Sequence, residues 1–79
     1  MTKKEMVKAI LKDCEALPRD RERGLELALK YNKRPYIEKV YRFYREQPAM
    51  AGMCMNLLSG MVFDTKQKEK GEFDEVFAV

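Results

Sequence analysis

The chain has 79 residues, 37% of them charged and 46% hydrophobic, with no histidine and only two cysteines, Cys14 and Cys54. This composition is globular rather than disordered, and the length is that of one small domain, 1–79. Lacking histidine, the chain has neither the commonest general base at neutral pH nor the four N/S ligands of a closed zinc site, which argues against an enzyme, a cofactor and a metal.

The net charge of +3 is unevenly spread. Residues 1–45 hold 13 Lys/Arg and 7 Asp/Glu, whereas residues 46–79 hold 3 Lys and 6 Asp/Glu. The uncharged stretch Ala49–Phe63 is shorter than the ~20 residues that cross a bilayer. No secretory signal pattern opens the chain, so a cytoplasmic location, no membrane contact and reduced cysteines are expected.

Thr2-Lys3-Lys4-Glu5 matches a capping box, and Met6, Val7, Ile10, Cys14 and Leu17 recur behind it at helical spacing. A first helix over 3–17 is expected, ended by Pro18. A second spans 19–32 on a ridge of Leu25, Ala28 and Leu29, with Gly24 an unfavourable residue inside it. Pro35 opens a third over 35–47, the most amphipathic of all, with Ile37, Val40, Tyr41 and Tyr44 on one face. Tyr36 and Phe43 widen that face.

The fourth segment, 49–63, is apolar all round: Met50, Met53, Cys54, Leu57 and Met61 form one ridge, and Met55, Leu58 and Val62 a second. Its remaining arc is small or uncharged (Ala49, Gly52, Asn56, Ser59, Gly60). Such a helix is buried on several sides, by its own domain or by a partner. A polar stretch, 64–71, precedes a C-terminal element over 72–79, read as a short helix carrying Phe73, Val76 and Phe77. A β-hairpin between residues near 61–65 and 72–77 is the competing arrangement. The expected fold is an all-α bundle of about four short helices.

Four groups of residues are candidate sites. Methionine is flexible and polarizable and serves adaptable surfaces as well as irregular cores. Met50, Met53, Met55, Leu57 and Met61 are therefore candidate partner anchors, with Tyr36 and Phe43 as aromatic hot spots. The small arc Gly52-Asn56-Gly60 would admit a second helix closely. Basic residues Arg19, Arg21, Arg23, Lys30, Lys33, Arg34, Lys39, Arg42 and Arg45 offer a nucleic-acid face. Asp20, Glu22, Glu26, Glu38 and Glu46 are interleaved with them, as on an ordinary solvated surface. Both cysteines fall on apolar ridges and read as inert core thiols. The acidic-aromatic tail reads as docked on its own domain rather than on a partner.

No phosphate loop, metal motif or nucleophile elbow is present. The sequence therefore reads as a non-enzymatic helical module that binds another protein or a second copy of itself. A nucleic-acid-binding domain using Arg19, Arg23, Lys33, Arg34, Lys39, Arg42 and Arg45 is the alternative.

Overall fold

The computed structural model describes residues 1–66. Four helices make a small all-α bundle: α1 (Lys3–Lys12), α2 (Pro18–Tyr31), α3 (Arg34–Glu46) and α4 (Ala51–Ser59), the last entered through a 3-10 turn at Pro48–Met50. Two two-residue strands, β1 (Cys14–Glu15) and β2 (Asp64–Thr65), pair antiparallel, Cys14 opposite Thr65 and Glu15 opposite Asp64. The C-terminal element expected over 72–79, and the hairpin that would involve it, lie outside the described residues.

The capping box forms. Thr2 Oγ1 accepts from the Glu5 N–H at 3.1 Å, and Glu5 Oε1 accepts from the Thr2 N–H at 2.8 Å. Those Thr2 bonds to the carboxylate hold the Glu5 pKa below its ordinary value. Behind the cap, α1 buries Met6, Val7, Ile10 and Leu11.

The first helix ends at Lys12 rather than Leu17. Asp13 caps it, its N–H donating to Ile10 O at 3.1 Å, and the next two residues leave the helix to pair with β2. The Lys66 N–H extends that pairing to Asp13 O at 2.8 Å. A helix C-terminus leaves carbonyls without partners. Here Arg21 supplies them: its guanidinium donates to Leu11 O (2.7 Å), Cys14 O (2.5 Å) and Ala16 O (3.0 Å). Leu17, expected on the apolar face of α1, instead precedes α2 and is 70% exposed.

The fourth helix is also shorter than the apolar run suggests. It stops at Gly60, whose φ of 75° is the left-handed conformation that closes helices, its N–H bonding Asn56 O at 2.9 Å. The chain then folds back across its own helix. Asn56 Oδ1 accepts from the Phe63 N–H at 2.7 Å, and the Gly52 N–H donates to Thr65 Oγ1 at 2.8 Å. Asp64 and Thr65, read as the start of a polar surface stretch, are thus the strand β2.

Two glycines make this return possible. A Cβ on Gly52 would lie 2.5 Å from Phe63 O and 2.8 Å from Thr65 N, and one on Gly24 would lie 2.5 Å from the Phe63 ring. The glycine that weakens α2 as a helix is the notch that seats Phe63. The Gly52–Asn56 part of the small arc of α4 is likewise filled by residues 63–65 of the same chain, while the space beside Gly60 is open.

The core gathers α1, α4 and the inner faces of α2 and α3, with Val7, Ile10, Cys14, Ile37, Cys54 and Met55 fully enclosed. α1 and α4 each pack on both α2 and α3, which share no substantial contact with each other. Asn32 Nδ2 ties the end of α2 to the end of α4 through Leu58 O at 2.6 Å.

Candidate interaction surface

One side of α4 is bare. Ala51, Gly52, Cys54, Met55 and Leu58 face inward, while Met50, Met53 and Leu57 are 37%, 40% and 53% exposed. Their spacing of three and four residues puts them on one stripe. The helix is therefore buried on part of its circumference only. Met55 is not a surface anchor: the 3.6-residue period turns it inward, and its side chain is fully enclosed. Met61 is half-buried, packed on the core after the Gly60 reversal.

The neighbouring stripe belongs to α3. Tyr36 and Phe43, two turns apart, are 40% and 39% exposed. The opposite flank of α3 is turned to α1. Arg34 donates to Met1 O, Tyr44 Oη donates to Asp13 Oδ2 at 2.5 Å, and Ala9, Lys12, Tyr41, Tyr44, Arg45 and Pro48 line a shallow crevice of about 290 Å³. α3 packs on α4 as well as on α1. Residues 63–65 cover the Gly52–Asn56 side of α4, away from the exposed Met50, Met53 and Leu57. The two exposed stripes thus lie on helices that pack against each other.

The basic residues are distributed differently. Arg19 and Arg23 lie on α2, Arg23 lying 3.9 Å from Glu26. On α3, Glu38 is 2.8 Å from Arg34 and 3.9 Å from Arg42, and Arg45 lies over the Tyr41 ring. Lys33 is exposed at the start of α3, and Lys39 is exposed on the Tyr36–Phe43 side. Arg19 and Arg23 are thus on a different helix from the candidates at Lys33–Arg45, and α2 and α3 share no substantial contact.

Both cysteines are fully buried and form no disulfide, Cys14 Sγ donating to Ile10 O at 3.5 Å. Burial pushes the Cys14 thiol up to about 11 and raises Cys54 as well, the opposite of what a nucleophilic thiolate requires. Among the described residues no group of three or more His, Cys, Asp or Glu side chains could hold a metal ion, and no helix is long and apolar enough to cross a membrane.

Sequence reasoning missed three structural roles: the Arg21 clamp, the Gly24 and Gly52 notches, and the Asn32 tie. The signal for Gly24 was present, since a glycine inside an otherwise good helix invites a packing explanation. Leu17, Tyr31 and Val62 are further exposed apolar side chains, 70%, 68% and 87% accessible, which fall outside the α3–α4 stripes.

Comparison with known protein families, with curated proteins and with solved structures finds no match to this chain.

Proposed function

We propose that this chain is a small non-enzymatic protein-binding module whose contact surface is the α3–α4 face. The observation that carries the reading is the bare row Met50, Met53 and Leu57 on a helix packed against the one that exposes Tyr36 and Phe43. A scattered exposed apolar residue needs no explanation, but contiguous ones on a small domain mark an interaction site. Methionine adapts to a partner's shape, and tyrosine is a favoured interface anchor. The location, the partner and the absence of catalysis belong to this same proposal.

Site-specific photo-crosslinking in cells tests it. A photoreactive side chain in place of Met53 is expected to give discrete protein adducts, while one in place of Lys8, exposed on α1, gives none. Equal labelling from both positions, or adducts to nucleic acid from position 53, would overturn the reading.

A further inference from the structure

We infer that the occupant of this face is a second copy of the chain, bound about a two-fold axis with α3 antiparallel to α3 of the partner. The inference rests on the α3–α4 face being the contact surface, and it specifies what covers it. Its basis is the charge pattern of the exposed stripe. Tyr36, Lys39, Phe43 and Glu46 follow one another at spacings of three, four and three, so they lie along one side of α3. Lys39 and Glu46 are both exposed, and neither has an ion-pair partner among the described residues. On the other side of the same helix, Arg34, Glu38 and Arg42 are engaged with one another.

A lysine and a glutamate seven residues apart are separated by about 10.5 Å along the helix axis. A two-fold axis crossing α3 at its midpoint between them, next to Phe43, sets each Lys39 against the partner's Glu46. One rotation satisfies both charges, as an isologous interface requires. Phe43 then lies beside the axis, and Tyr36 is carried toward the Met50 end of the partner's α4. The parallel two-fold arrangement would oppose Lys39 to Lys39 and Glu46 to Glu46, so charge excludes it. A nucleic acid on this stripe would meet the Glu46 carboxylate between its phosphates. A second copy also brings an apolar face of the same composition, and a chain this small gains stability from burying it.

Sedimentation equilibrium on the full chain at low ionic strength is the test. The wild-type chain is expected to dimerise with concentration. Lys39→Glu and Glu46→Lys each oppose two pairs of like charges and should weaken the dimer about ten-fold or more. The double variant Lys39→Glu/Glu46→Lys should regain it, and an equimolar mixture of the two single variants should form a heterodimer, since every facing pair is again opposite in sign. Both positions are exposed, so circular dichroism should show wild-type helix content throughout. A wild-type chain that stays monomeric to millimolar concentration overturns the inference, and so does a dimer indifferent to the single reversals. Neither result touches the Met53 crosslinking outcome, which would still capture a different protein if the face serves one.

Discussion

The guanidinium of Arg21 holds three carbonyls from the segment where α1 ends and β1 begins, at 2.5 to 3.0 Å. Its planar fork of donors suits that task, whereas a lysine presents one mobile ammonium and satisfies fewer of them. Arg21→Met should therefore cost roughly 2–3 kcal/mol in urea unfolding, because hydrogen bonds to a charged group are lost and carbonyls are left unsatisfied. Arg21→Lys should recover less than half of that loss. Wild-type stability in the lysine variant would refute the clamp. In the sequence Arg21 stands between Arg19 and Arg23 and reads as one more surface cation. Nothing in residue type separates it from them, since its partners are main-chain atoms whose positions depend on where α1 stops. Met55 and Met53 differ in the same way: only helical phase tells a core methionine from an exposed one, and a run apolar on every side hides the phase.

At the scale of elements, the helices were legible because capping, proline and periodicity are local signals. Thr2 and Glu5 placed the start of α1, Pro35 the start of α3, and the apolar stripe of α3 its inner face. The ends were less so. Cys14 continues the helical periodicity of α1, yet it leaves the helix for a strand pair with Thr65, fifty-one positions away, and non-local pairing leaves no mark within a window of ten residues. The two notch glycines express the same competition between local and tertiary preference. Helix propensity alone predicts that Gly24→Ala and Gly52→Ala stabilise the protein by about 1 kcal/mol each. The structure predicts the reverse. The Gly52→Ala methyl meets main-chain atoms of residues 63–65, which cannot step aside without breaking β2 pairing, so a loss of about 2 kcal/mol or more is expected. The Gly24→Ala methyl clashes with the ring of Phe63 and touches Met55 Cε at an ordinary 3.6 Å, so its loss should be partly relieved by Phe63→Leu in a double-mutant cycle. Stabilisation by either alanine in thermal melts would show that the chain returns across α4 by another route.

For the molecule as a whole, the end of α1 is the junction of every layer. Arg21 reaches it from α2, Tyr44 from α3 through Asp13, and β2 from beyond α4 through Cys14 and the Lys66 N–H. Two groups at this junction titrate at alkaline pH. Burial raises Cys14 to about 11, and burial together with the bond to the Asp13 carboxylate raises Tyr44 to about 12. In both cases the folded state holds the proton more tightly than the unfolded chain, whose thiol and phenol ionise near about 8.5 and 10. Their contribution to stability is complete below the unfolded values. It is lost as pH climbs, first between about 8.5 and 11 for Cys14, then between about 10 and 12 for Tyr44. Each pK unit is worth at most about 1.4 kcal/mol. Urea midpoints measured from pH 7 upward should therefore fall steeply above about pH 9. Cys14→Ala, less stable at neutral pH because it opens a small cavity, should show a flatter decline up to pH 11. Tyr44→Phe should flatten only the upper part. The three proteins differ at these two positions alone, so the difference between slopes isolates these two groups. Parallel curves for wild type and Cys14→Ala would mean that water already reaches the thiol, and that the junction holding four helices and two strands together is looser than its hydrogen bonds imply.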